Sequence, residues 1–283
     1  MFPVHCTMTL LERNVFFKAG IAFCTVITFL TAVVSFVLIP FYSQMEGISR
    51  RPSYLFQIIS GWFLGNDYLA VHVSLILAIL FSFTGMIFIY SYFLRTSTPE
   101  ILYISFFTFS FSFEIIRFIL PLHLIYTFPV FYLLGASKVL LFARYFGIFS
   151  LFIASVCAAG FEIQKTRNII FILIISTLLV ILGIPVDTQT WDTSFIFASG
   201  YTSIYRMIEA AVFIACTATF LVAVKVRDSR EYTNVAIGVV FALAGRNIIL
   251  GTDNWAGPVT GIILLSFGTW FICFKIHKIH LWL

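Results

Sequence analysis

Leu69 to Leu94 reads LAVHVSLILAILFSFTGMIFIYSYFL, 26 residues without one Asp, Glu, Lys or Arg. A membrane-spanning helix needs about 20 predominantly apolar residues, and this run supplies them before it stops at Arg95 and the turn-forming Thr96-Ser97-Thr98-Pro99. Its apolar residues do not alternate with polar ones, whereas the strands of an outer-membrane barrel alternate over about ten residues. The segment therefore reads as a transmembrane helix.

Outward from it, similar runs recur along the chain. Spans are expected at 16–41, 69–94, 101–120, 140–162, 168–186, 203–225, 233–251 and 257–275, each bounded by charge, proline or turn residues. Arg246 and Asn247 interrupt the apolar run of the seventh, so the count is eight, or seven if that segment does not cross. The predicted fold is an all-α, polytopic transmembrane helix bundle forming a single domain over residues 1–283, with no soluble domain. Composition agrees: 10% of the residues are charged and 61% hydrophobic, against roughly a quarter charged in soluble domains. So few charges cannot clothe a water-soluble surface.

The net charge of +5 would suggest nucleic acid in a soluble protein. In a membrane protein, Lys and Arg instead collect on cytoplasmic loops. With the N-terminus cytoplasmic, Arg13, Lys18, Arg95, Lys165, Arg167, Lys225, Arg227, Arg230, Lys275 and Lys278 flank inner helix ends, and only Arg50, Arg51 and Lys138 fall in outer loops. This bias puts both termini in the cytoplasm of a multi-pass protein of the cell membrane. The run from Gly20 to Phe41 exceeds the 7–15 residues of a signal-peptide core, so it reads as an uncleaved first helix. Cys6, Cys24, Cys157, Cys216 and Cys273 are scattered, four of them within spans, and are expected as free thiols. The apolar stretch 54–64 reads as an interfacial helix, and 121–139, with Pro121 and Pro129, as a hairpin or cap on the bundle.

Ionisable side chains inside a bilayer are expensive and mark candidate sites. Four helices bring such groups to one outer layer: Glu114 and Arg117 on the third, Arg144 on the fourth, Arg206 and Glu209 on the sixth, Arg246 with Asn247 on the seventh. At 1.5 Å per residue, Arg144 should lie within roughly 8 Å of the outer end of its helix. Glu114 and Arg117 are spaced i,i+3, as are Arg206 and Glu209, so each pair shares a helix face. The two helices run oppositely, which permits Glu114 to pair with Arg206 and Glu209 with Arg117. Arg144 and Arg246 are then left for Asp67, for Asp253, or for a ligand. The residues can act as interhelical glue, or as an outward-facing cationic pocket for a carboxylate, phosphate or lipid headgroup, which arginine's planar fork binds bidentately.

Enzymatic signatures are weak. His277 and His280 lack a third ligand, and Lys275 and Lys278 beside them repel a cation. His72 and His123 with Asp67 suit a membrane zinc hydrolase, but no His-x-x-x-His pair completes the set. No nucleophile elbow, phosphate loop or metalloprotease pair occurs. No cofactor or metal is therefore implied. The expectation is a non-enzymatic sensor or accessory subunit. Its partners would be membrane lipids, an anionic small molecule or lipid headgroup, and another membrane protein, with no nucleic acid. In architecture alone it is similar to the multi-helix input regions of bacterial membrane signalling proteins. The rival expectation is a small transporter or lipid-handling enzyme.

Overall fold

The computed structural model describes residues 10–46, 68–93, 98–160, 166–191 and 194–281. The interfacial stretch 54–64, Cys6, Asp67 and Asp192 lie outside the described residues.

Among the described residues eight helices follow one another: α1 Leu10–Glu46, α2 Tyr68–Tyr92, α3 Pro99–Tyr126, α4 Val130–Ala158, α5 Thr166–Leu182, α6 Thr202–Val226, α7 Glu231–Gly251 and α8 Ala256–Leu281. Seven are long and apolar enough to cross a membrane; α5 is the shorter one. The protein is thus an all-α, multi-pass membrane helix bundle. The helix whose span the sequence left open, α7, is unbroken through Arg246 and Asn247.

Between α5 and α6 the chain forms a small antiparallel hairpin, β1 Val186–Trp191 with β2 Phe197–Ser199. It docks by its aromatic residues. Phe195 and Phe197 are buried in a cluster with Leu38 of α1, Val71 and Leu75 of α2, Phe118 and Leu120 of α3 and Leu133 of α4. That cluster marks the hairpin end of the bundle. A second, larger core lies toward the other end and includes Phe17, Tyr103, Phe107, Phe220 and Val235. The far end also carries the Lys275–Glu231 and Lys278–Glu231 ion pairs, 2.9 and 2.7 Å, and Arg13 donating to the Phe93 carbonyl at 3.0 Å. Lys138, at the hairpin end, donates to the Ile181 carbonyl in the last turn of α5 at 2.9 Å and to the Ile184 carbonyl just past it.

The most extensive helix contact is between α7 and α8. Glycines seven residues apart allow it: Gly238 and Gly245 on one helix face Gly261 and Gly268 on the other. A Cβ on Gly245 would collide with the backbone of Leu265, and one on Gly268 with the backbone of Ala242. Lacking a hydrophobic driving force between helices, membrane bundles use such small residues to let backbones approach.

One expectation changes here. Residues 121–139 are not a separate cap: α3 continues through Pro121 to Tyr126, and α4 begins at Val130. Pro121 is tolerated because it is the third residue of a restarted helical segment, Ile119–Tyr126, where a missing N–H costs nothing. Thr127, at φ 37°, then turns the chain. There the Thr127 N–H donates to the His123 carbonyl and the Phe128 N–H to His123 Nδ1, at 2.9 and 2.7 Å, so His123 closes the helix end. The described cysteines Cys24, Cys157, Cys216 and Cys273 are buried free thiols.

Candidate functional site

α3 changes character halfway. Pro99–Ser110 is α-helical, Phe111–Phe118 is a 3-10 helix, and Ile119–Tyr126 is α-helical again. The sequence supplies two causes. The hydroxyls of Ser105, Ser110 and Ser112 donate to carbonyls three residues back at 2.6, 2.7 and 2.8 Å, competing locally with the helical ladder. Pro121 cannot donate to the carbonyl of Arg117 four residues earlier. Eight residues is long for a 3-10 run, and such mid-helix stretches mark strain or function. In this geometry residues i and i+3 eclipse, which stacks Arg117 over Glu114.

Glu114 is the hub. Its carboxylate is 2% exposed and receives Arg144 through two parallel bonds, Nε to Oε1 at 2.8 Å and Nη2 to Oε2 at 2.7 Å. That is the bidentate fork geometry of the strongest carboxylate pairs. Arg117 approaches the same oxygen at 3.5 Å. The same nitrogen, Nη1, also reaches the Leu250 carbonyl of α7 at 3.4 Å, and Nη2 donates to the Ser194 carbonyl of the hairpin, so Arg117 ties α3, α7 and the hairpin together. Asp253, just past α7, lies within electrostatic range of Arg117.

Arg246, 5% exposed, continues the layer. Its Nη2 donates to the Arg144 carbonyl at 3.4 Å and stands 3.7 Å from Glu209, while Nη1 donates to Asn247 Oδ1 at 2.8 Å. Glu209 is also within electrostatic range of Arg144 and Tyr145. Three guanidinium groups and two carboxylates thus share one layer spanning α3, α4, α6 and α7, an excess of one positive charge before Asp253 is counted.

Six of the seven candidate residues are brought together; Arg206 is not. It is exposed on the first turns of α6 and makes no ion pair among the described residues. The expected cross-pairs do not form. Arg144, not Arg206, holds Glu114, and Arg246, not Arg117, faces Glu209. Arg144 and Arg246 therefore have acids after all, and the order of roles is reversed. Depth changes too. Because α4 begins at Val130, Arg144 lies fourteen residues in, roughly 21 Å from the helix start, at the middle of its 29 residues. The end of α3 moves by six residues, from the expected 120 to Tyr126.

The cavity beside Arg117, walled by Ser137, Leu140 and Phe195 among others, measures about 20 Å³, room for roughly one water. Among the described residues, no three His, Cys, Asp or Glu side chains gather where they could hold a metal ion. The contributions of Ser194 and Leu250 were not readable, because both act through backbone carbonyls. The Ser105, Thr108, Ser110, Ser112 series just before Glu114 was a readable sign of a perturbed helix.

The chain matches no model of a known protein family and no curated protein.

Proposed function

We propose that the chain is a receptor-like or accessory membrane subunit that accepts a carboxylate- or phosphate-bearing group at the exposed end of its charged layer. The observation that carries this reading is the contrast between its two carboxylates. Glu114 is buried and doubly bonded, whereas Glu209 is 31% exposed and stands 3.7 Å from Arg246 without a hydrogen bond. Weak, partly exposed pairs contribute about 0–1 kcal/mol, so an incoming anion can displace Glu209 cheaply. Asn247 beside Arg246, and Arg206 one turn from Glu209, are both exposed and flank the place where it would sit. An arginine fork suits such a group.

The test is thermal melting of the purified protein in detergent with phosphatidylglycerol, with phosphatidylcholine, or with inorganic phosphate. Wild type should gain stability from phosphatidylglycerol or from phosphate but not from phosphatidylcholine, and the anionic arm that acts identifies headgroup or free anion. Arg246→Gln should abolish the gain and Glu209→Gln should enlarge it. Equal shifts with all three additives, or an Arg246→Gln response like wild type, overturn the reading.

A transporter is the second reading, and one observation favours it: a helix broken at Phe111–Phe118 beside Arg144 at mid-helix. Transporters bind substrate near the midplane at discontinuous helices. Flux of a labelled anion into proteoliposomes, lost in Arg144→Gln, would select it; absence of flux would dismiss it.

In either reading we place both termini in the cytoplasm of a cell membrane and the hairpin outside, from the distribution of basic residues. A reporter fused after Leu283 should be active inside and one inserted near Gln189 outside. A C-terminus found outside would contradict that orientation.

A further inference from the structure

A second cavity reaches the depth of the charged layer, since Phe113 precedes Glu114 and Ala143 precedes Arg144, but none of the charged residues lines it. It is a crevice of about 350 Å³ whose walls come from Phe106, Phe109 and Phe113 of α3, Phe142 and Phe146 of α4 and Ile174 of α5. Phe16 of α1 closes one side. The lining exposes no polar surface, since the one hydroxyl present, on Ser110, donates to the Phe107 carbonyl at 2.7 Å.

The walls are held by their own ring packing. Phe16 meets Phe106 edge to face at 4.9 Å, Phe106 lies 5.4 Å from Phe146, and Phe142 stacks on Phe146 at 5.6 Å. Rings in these arrangements stabilise one another beyond their burial, so the crevice is preformed. From Phe106 to Phe113 it runs about 12 Å along α3, four residues of α-helix and three of 3-10.

An unfilled space of this size would deprive its walls of dispersion contacts, so an occupant of matching chemistry is favoured. The crevice is long, wholly apolar and open toward the side of the bundle. Phe23 of α1 and Phe171 and Ile175 of α5 are exposed on the helices that border it, and Phe23 lies in a helix long and apolar enough to cross a membrane. A peptide segment would bring backbone polar groups that nothing on these walls can satisfy. We propose that the crevice is a binding site for the hydrocarbon chain of a membrane lipid. The chain lies along α3 with its methylenes against the phenylalanine wall. The site is independent of the headgroup-binding reading above, because its selectivity is for the aliphatic chain.

The test uses the full-length protein in phosphatidylcholine nanodiscs containing a phosphatidylcholine with a photoreactive diazirine midway along one acyl chain. Peptide mapping should find adducts on Phe109, Phe113 and Phe146, together with adducts on the fully lipid-exposed control Phe36. Ile174→Trp, which fills the crevice from the peripheral helix, should reduce the wall adducts to background while Phe36 stays labelled. Ile170→Trp, one turn earlier on α5, serves the same purpose if the first variant folds poorly. Wall peptides free of adducts in wild type while Phe36 is labelled overturn the proposal. So do wall adducts that persist unchanged in a folded filling variant.

Discussion

Glu114→Gln should lower stability by about 3–5 kcal/mol, the cost of removing one partner from a buried ion pair. Gln can accept a hydrogen bond from Arg144 but cannot balance its charge. The variant would leave Arg144 and Arg117 facing each other in a site where Glu114 was 2% exposed. Arg144→Gln should come close to the same loss, since it strips both short bonds from the carboxylate. Arg206→Gln should change stability little, because Arg206 is exposed and unpaired among the described residues. Unfolding of the detergent-solubilised protein, followed by denaturant or heat, gives this ranking. Arg206→Gln matching Glu114→Gln would mean that the pairs are wrongly assigned.

The second large effect is expected far from any charge. Gly245→Ala adds one methyl group where α7 and α8 touch backbone to backbone, and neither helix backbone can rotate aside as a side chain would. Overpacking of this kind costs about 1–3 kcal/mol, and Gly268→Ala should behave alike from the other helix. Gly135→Ala is the control. It lies within α4 with nothing inside 4 Å of the added carbon, so the usual helix preference for Ala over Gly should make it stabilising by about 0.5–1 kcal/mol. Gly245→Ala should also blunt the anion response, because its neighbour Arg246 is positioned by the same helix contact. A Gly245→Ala melt equal to Gly135→Ala would show that α7 and α8 do not pack this closely.

The bundle itself was legible because a bilayer leaves few options: long uncharged runs such as 69–94 become helices wherever they occur. What failed was at the prolines. Pro121 looked like a helix stop and Pro129 like part of a hairpin or cap, yet Pro121 sits where a restarted helix tolerates it, and Pro129 caps the start of α4. That one misjudgement shortened α3, delayed α4 and placed Arg144 too close to a helix end. Which ionisable residues share a layer was readable from direction and rise along each helix. Which of them pair was not, because pairing depends on helix neighbours and on rotation about each axis. Arg206 and Glu209 share a face by spacing, yet α6 turns that face so that Glu209 meets Arg246 and Arg206 does not. The hairpin was hidden for another reason: its strands are short and mostly polar, with only Val186, Trp191, Phe197 and Ala198 apolar, and its closing contact is a backbone carbonyl. The heptad-spaced glycines of α7 and α8 were visible in the sequence and point to the closest helix contact.

A pair of double-mutant cycles tests most directly whether the layer divides into a fixed pair and an exchangeable one. The first cycle combines Glu114→Leu with Arg144→Met, the second Glu209→Leu with Arg246→Met, each read as unfolding free energy in detergent. For Glu114 and Arg144 the double variant should recover much of what either single one loses, because well-packed apolar residues can replace a buried ion pair, giving a coupling of about 3 kcal/mol or more. For Glu209 and Arg246 the coupling should be smaller, about 1 kcal/mol, because the two stand 3.7 Å apart without a hydrogen bond and Glu209 is 31% exposed. Equal coupling in the two cycles, or a larger value for Glu209 and Arg246, would contradict the division on which the proposed anion site rests.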